Sequence, residues 1–209
     1  MASEAQFKTG LPHTDGMANA AGWRIEFFHF PSGKTVSFRA YINQFRDTFS
    51  SKWRSEEVFG RMDPIQIFQN TTRKIQLGWD VPSEGVIDSM DNMDRCQQLI
   101  KMLYPAYKRT SATSMSQPPL LRVKFVNLIK NAGAKDSFVF AGRDDVEAPD
   151  VGILPAAEGG LVCTADGFSY DPDFDHGFHH PTNNAIFPKN ISFVCELTIL
   201  HTHRLGWTH

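Results

Sequence analysis

The chain has 209 residues, of which 41% are hydrophobic and 21% charged. This length and composition fit one domain with a packed core and exclude a chain that is disordered throughout. Lys and Arg (21) nearly balance Asp and Glu (23), so bulk charge gives no support for binding to nucleic acid or to an anionic membrane.

The N-terminal segment, residues 1–22, is small, polar and glycine-containing, which predicts an extended arm ahead of the folded part. It lacks the charged-then-apolar pattern of a signal peptide, and no apolar run reaches the ~18 residues of a membrane helix. We therefore expect a protein that is neither secreted by a signal peptide nor membrane-spanning. Residues 23–209 then form a single domain.

The first strands are predicted on either side of "PSG", where "WRIEFFHF" and "KTVSFRAYI" alternate as in a β-hairpin. Extended structure is favoured for residues 43–60. A turn follows at "GRMDP", then a short strand "IQIFQ", a second turn at "NTT", and a further strand "RKIQLGWDV".

The period changes to that of a helix over residues 83–103. Ser83 is the predicted N-cap, and Tyr104-Pro105 ends the helix. The side chains predicted to face the core are Val86, Ile87, Met90, Met93, Leu99, Ile100 and Leu103.

Strand patterns return after this helix. "PPLLRVKFVNLI", "GLVCTADGFSYDPDF" and "ISFVCELTILH" predict strands, while "KRTSATSMSQ" and "DHGFHHPTNNAIFPKN" predict loops. Residues 130–160 predict a loop insertion or a small hairpin. The sum is an α+β, mainly β fold: an antiparallel β-barrel or sandwich with one long flanking helix.

Carboxylates and imidazoles crowd the segment "DPDFDHGFHHP", and such groups are metal ligands. Their spacing matches neither HExxH nor a calcium-binding loop, so a polar loop with turn-forming Asp and His is favoured over a metal site. His201 and His203 share one face of a strand end, where a ligand pair is again the less favoured alternative. The residues of the crowded segment are Asp171, Asp173, Asp175, His176, His179 and His180.

Other catalytic signatures are missing from the sequence. There is no GxSxG elbow, phosphate-binding loop or GxGxxG. The cysteines Cys96, Cys163 and Cys195 form no CxxC pair, so we expect reduced thiols that are mostly buried. No cofactor is predicted. Arg61, Asp63 and Arg73 could bind an anion, but a structural role in turns and ion pairs is favoured.

The order of several segments resembles a family of tailed-bacteriophage virion proteins, namely small tail-tube or baseplate proteins of the tube-initiator and baseplate-hub kind. The resemblance covers most of residues 27–207. It rests on "PSGKTVSFRAYI", "SEEVFGRMDPIQIFQNTTRKIQLGWDVPS", "LIKMLYPAY", "PPLLRVKFVNLI" and "FPKNISFVCELTILHTHRLGW".

The resemblance implies a tail-tube-like fold whose copies, usually six, join sheet edges into a ring around a channel. It implies a virion protein made in the host cytoplasm, with neighbouring tail-tube and baseplate proteins as partners. Genome DNA would pass through the channel without specific binding. The segment "VFGRMDPIQIFQNTTR" is then expected to be a structural joint. The candidate contacts between subunits are Arg61, Asp63, Arg73, Trp53 and Trp79.

Two alternatives remain open. One is an adaptor or chaperone for tail assembly, which would be absent from the mature particle. The other is a metal-dependent cell-wall hydrolase of the tail that uses His176, His179, His180 or His201.

Overall fold

The computed structural model describes residues 24–39, 41–108, 111–125, 128–129, 156–180 and 185–202, although the side chains of 108 and 111–114 are not among those described. The expected arm at residues 1–22 and most of the loop at 130–160 lie outside these ranges. The elements, in chain order, are β1 (Arg24–His29), β2 (Lys34–Arg39), β3 (Tyr41–Glu56), β4 (Ile65–Pro82), α1 (Val86–Lys101), β5 (Ala106–Lys108), β6 (Ser111–Gln117), β7 (Leu121–Phe125), α2 (Ala156–Gly159), β8 (Leu161–Pro172), β9 (Phe178–His179), β10 (Phe187–Pro188) and β11 (Asn190–Ile199).

Seven of these strands form one antiparallel sheet in the order β2-β1-β7-β8-β11-β4-β3. The two edge strands, β2 and β3, are separated in the chain by residue 40 alone, so the sheet must curl until its edges come near each other. The described strands therefore make a sandwich-like layer pair instead of a closed barrel. The predicted mainly-β, antiparallel fold with one long helix is confirmed.

Aromatic side chains fill the space between the two halves of the curled sheet. The Phe38 ring of β2 lies 5.8 Å from the rings of both Trp79 and Phe193, which belong to β4 and β11. Trp79 and Phe193 stack on each other at 5.2 Å. Phe27 of β1 adds a further contact to Trp79 at 5.5 Å. Such offset and edge contacts contribute beyond the burial of apolar area.

The predicted turn at Asn70–Thr72 is wrong, because β4 runs without interruption from Ile65 to Pro82. Turn formers do not end the strand here because each has a partner on β3. The hydroxyls of Ser51 and Thr71 lie 3.1 Å apart, and Thr72 donates to the carbonyl oxygen of Ser50 at 3.3 Å. Cross-strand pairs of this kind stabilise a two-stranded ribbon.

Helix α1 is confirmed, but its N-terminus and buried face differ from the prediction. It begins at Val86 after Gly85, and no side chain caps it, so Ser83 is not the N-cap. Ser89 and Asn92 are buried because they donate to the carbonyl oxygens of Pro188 (2.7 Å) and Pro82 (3.3 Å). Hydrophobic periodicity cannot detect such polar anchors.

The opposite face of α1 therefore exposes apolar side chains. Ile87 is 78% exposed and Met90 is 48% exposed, although both were expected to face the core. Two predicted loops also contain short strands. The polar segment after the helix forms the β5–β6 hairpin, and the histidine-rich segment contains the β9–β10 pair.

Candidate protein interface

The β3–β4 hairpin extends well beyond the sheet. Strand β11 pairs with β4 only from Arg73 to Pro82, so β4 residues Ile65–Thr72 pair with β3 alone. We call residues 49–72 the hairpin arm. Every residue of the arm is exposed. At ~3.3 Å per residue, its strands project roughly 25 Å from the sheet.

The tip of the arm is a tight turn. Gly60 adopts a φ of 87°, a backbone conformation that residues with a side chain rarely adopt. The Arg61 amide donates to the Val58 carbonyl oxygen at 3.2 Å. Arg61 and Asp63, two of the predicted contact residues, are exposed in this turn. The predicted turn at "GRMDP" is confirmed, and it is the end of a long hairpin.

A β-bulge near the middle of the arm brings two aromatic residues together. Gln69 has no partner on β3, since Lys52 pairs with Asn70 and Trp53 pairs with Phe68. Directly opposite residues share a face of the ribbon, and the rings of Trp53 and Phe68 are 5.2 Å apart in an edge-on contact. Both rings remain about half exposed, at 56% and 51%.

Eight large apolar residues are exposed on the arm. Two at the tip, Phe59 (107%) and Met62 (101%), are as open as in an extended chain. With ~180 Å² for a fully exposed residue of this kind, the eight together expose on the order of 900 Å². The eight lie on both faces of the ribbon, and their total compares with the ~800 Å² that one side of a stable interface buries. The eight are Phe49, Trp53, Val58, Phe59, Met62, Ile65, Ile67 and Phe68.

The base of the arm is braced by an ion pair. Arg73 donates from Nε to both oxygens of Asp47, at 3.0 and 3.1 Å, and from Nη2 to Oδ2 at 2.6 Å. The guanidinium carbon also lies 5.1 Å from the centroid of the Phe49 ring. Arg73 was predicted to contact another subunit, and the contacts described here lie within its own chain. A forked, partly buried pair of this kind fixes the direction of the arm.

Trp79 does not belong among the candidate contacts, which corrects the prediction. Its side chain is 0% exposed and packs in the core of its own chain. Trp53 is different, because it lies on the arm with more than half of its surface open. The sequence analysis named both residues as candidate contacts, although only Trp79 follows an alternating strand pattern.

Phe49, Phe59, Met62 and Phe68 were missed by the sequence analysis. The sequence does contain a signal for a long hairpin. Extended patterns of similar length lie on both sides of the "GRMDP" turn. The hairpin was not recognised because the turn predicted at residues 70–72 divided one 18-residue strand into two.

The Asp/His segment contains a turn that is stabilised by Asp173. Asp173 accepts from the amide of Asp175 at 2.9 Å and contacts Nδ1 of His176 at 2.5 Å. The contact with His176 is the main reason that the pKa of Asp173 lies below its usual range. Among the described residues, no three His, Cys, Asp or Glu side chains are grouped to hold a metal ion. His203 lies outside the described ranges.

The cysteines are inaccessible to nucleophilic chemistry. All three are free and buried. Burial raises the pKa of Cys96 and of Cys163 to about 12, and it raises the pKa of Cys195 as well. A thiol held protonated in this way is inert.

A groove of about 340 Å³ lies on the sheet surface beside an ion-pair network. Lys74 contacts Glu196 at 3.1 Å and Asp166 at 3.4 Å, and Thr198 donates to Asp166 at 2.7 Å. The hydrogen bond to Glu196 is the largest cause of the raised pKa of Lys74. These groups satisfy one another, so the groove does not present a free reactive group from this network.

No family model matches the chain, and no curated protein matches it. Within the described residues, no helix has both the length and the apolar character needed to cross a membrane.

Proposed function

We propose that this chain is a structural protein of a bacteriophage tail that assembles with further copies of itself through the hairpin arm. One observation carries the proposal: eight large apolar residues stand exposed on an arm that contacts little of its own domain. Water-exposed apolar surface of this extent is stabilised by association with another molecule.

The strand edges of the arm support the same proposal. In the described part of the chain, β3 is an edge strand, and Ile65–Thr72 of β4 has backbone pairing on one side only. The segment Ile65–Thr72 has no charge, proline or glycine, so apart from the bulge at Gln69 it lacks the usual features that block strand addition. An extended segment of a neighbour can pair along such an edge in a fixed register.

The family resemblance supplies the place of this assembly. It suggests a ring, usually of six copies, at the baseplate or at the end of the tail tube, where the ring initiates or joins the tube. Genome DNA then passes through the ring without sequence-specific contacts, and neighbouring tail-tube and baseplate proteins are the partners. The ring is non-catalytic, is made in the host cytoplasm and resides in the virion.

A nonsense mutation in the gene for this chain tests the proposal. Negative-stain electron microscopy of the resulting particles should show tailless heads, or free baseplates without tubes. Complete tails that fail to infect would contradict the proposal and favour an enzyme acting at entry. Absence of the protein from purified wild-type particles would instead favour an assembly chaperone.

A further inference from the structure

The sheet has a second end, opposite the arm, with a different surface chemistry. Pro82 of β4 pairs with Asn190 of β11, and about 55 Å of strand separates this pair from Ile65 near the arm tip. Helix α1 begins just after Pro82, and the β9–β10 segment lies beside it. We call residues 83–97, 171–180 and 185–189 the acidic end.

The acidic end is a firmly connected scaffold. The Ser83 amide donates to the Lys189 carbonyl oxygen at 2.8 Å, and the Ser89 hydroxyl donates to the Pro188 carbonyl oxygen at 2.7 Å. The Asp173 amide donates to the carbonyl oxygen of Asn190 at 3.0 Å. These bonds link the helix, the β9–β10 segment and the sheet, so side chains on this end are held in defined positions.

Four large apolar residues project from this scaffold. Ile87 and Met90 lie on the outer face of α1, and Phe174 (73% exposed) and Ile186 (57%) lie in the adjoining segment. Phe174 is held by an edge-on contact with Phe178 at 5.4 Å. The inner face of the helix carries Ser89 and Asn92 beside Cys96 and Leu99, so an outward-facing Ile and Met depart from ordinary amphipathic order.

The charge around these residues is strongly negative. The acidic end contains seven carboxylates, against the basic residues Arg95 and Lys189. Asp88 is neutralised by Arg39, at 2.8 Å, which leaves an excess of four negative charges, twice the net charge of −2 for the whole chain. The seven are Glu84, Asp88, Asp91, Asp94, Asp171, Asp173 and Asp175.

We propose that the acidic end is a docking surface for a different protein, one that presents apolar side chains flanked by Lys or Arg. Negative charge beside exposed apolar side chains selects a partner of the opposite sign and repels nucleic acid and anionic lipid. A second copy fits poorly, because residues 50–72 of its arm carry three basic and three acidic side chains. This surface goes beyond the proposed self-assembly and does not depend on it.

A synthetic probe tests this surface on the full chain. The probe is a fluorescein-labelled 14-residue peptide of alternating Lys and Leu, compared with peptides in which Glu replaces Lys or Ser replaces Leu. Binding is measured by fluorescence anisotropy. We expect saturable binding of the Lys/Leu peptide and at least tenfold weaker binding of the other two.

Two variants and a matched control locate the binding. I87Q combined with M90Q, and D91N combined with D94N, should each weaken binding of the Lys/Leu peptide at least tenfold. Tyr104 is 63% exposed just beyond the other end of the helix, so Y104Q should leave the affinity unchanged. Circular dichroism checks that every variant keeps its helix, which glutamine supports well.

The opposite results would overturn the proposal. One such result is that the Lys/Leu peptide shows no saturable binding, or that the Glu/Leu peptide binds equally well. Another is that Y104Q and the I87Q/M90Q variant lose affinity for the Lys/Leu peptide equally. Sedimentation velocity of the I87Q/M90Q variant provides a separate check. If this substitution reduces self-association, the occupant is a second copy and the proposed partner is wrong. None of the peptide-binding results bears on arm-dependent assembly.

Discussion

Arg73 and Asp47 form a forked ion pair at the point where the hairpin arm leaves the sheet, with Nη2 of Arg73 2.6 Å from Oδ2 of Asp47. Both side chains are more than four-fifths buried, at 17% and 19% exposed. Below this pair, the hairpin packs against the core, and above it every residue is open to solvent. The pair thus lies at the boundary between the packed domain and an arm whose described contacts are between its own two strands.

The ion pair gives the first prediction. R73K keeps the positive charge but loses the two parallel hydrogen bonds, and it should lower the free energy of unfolding by roughly 1–2 kcal/mol. Amide hydrogen exchange should accelerate in residues 47–73 more than in β1 or β11. Uniform acceleration over all strands would show that the pair stabilises the whole fold and is not a local brace.

The two tryptophans on this hairpin should behave in opposite ways. W79A removes a fully buried indole and should lower the free energy of unfolding by about 4 kcal/mol, by loss of packing. W53A makes the same chemical change on the arm, and it should leave the midpoint of urea unfolding nearly unchanged while it reduces self-association. A W53A chain that assembles like the wild type would remove Trp53 from the interface.

Arg61 at the arm tip is predicted to act in assembly and not in folding. R61A should reduce the fraction of assembled protein in sedimentation velocity but leave the isolated monomer folded, as circular dichroism will show. R54A is the matched control, because Arg54 is an exposed arginine of the same arm that already pairs with Glu56 at 3.2 Å. Loss of monomer folding in R61A, or equal effects of both substitutions, would contradict the predicted role.

His29 predicts a pH dependence of stability. Burial lowers its pKa from the ordinary value of 6.5, so the unfolded chain binds a proton more readily than the folded chain does. The contribution to stability is therefore complete above pH 6.5 and is lost as the pH falls through the lower pKa of the folded state. Urea unfolding between pH 8 and pH 5 should show this loss in the wild type and a smaller loss in H29Q. Equal pH dependence of the free energy of unfolding in the wild type and H29Q would contradict this role of His29.

Sequence patterns were most informative where one face of an element is buried. The alternation of Ile191, Phe193, Cys195, Leu197 and Ile199 predicts β11 closely, because those side chains all enter the core. Trp53 lies in a segment without such alternation, so the pattern could not predict whether its side chain is buried or exposed. Burial depends on where β11 stops pairing with β4, and that boundary is a property of the assembled sheet.

Helix α1 shows the second limit of sequence patterns. Ser89 and Asn92 face inward because backbone carbonyl oxygens of Pro188 and Pro82 lie there to accept their hydrogen bonds. Pro188 is distant in the chain, and Pro82 precedes the helix, so neither acceptor belongs to the helical pattern. A periodicity based on hydrophobicity therefore assigns Met90 to the core, where the polar contacts have already determined the orientation of the helix.

Shortening the arm tests the central claim most directly. Residues 53–69 are replaced by Asn-Gly, a two-residue turn that keeps the cross-strand pair Lys52–Asn70 closed. Light scattering coupled to size-exclusion chromatography then gives the mass of both proteins. We predict that the wild type forms a closed oligomer and that the shortened chain is a monomer that keeps the circular dichroism of a folded β protein. A wild type that stays monomeric at every concentration, or a shortened chain that assembles equally well, would contradict the account.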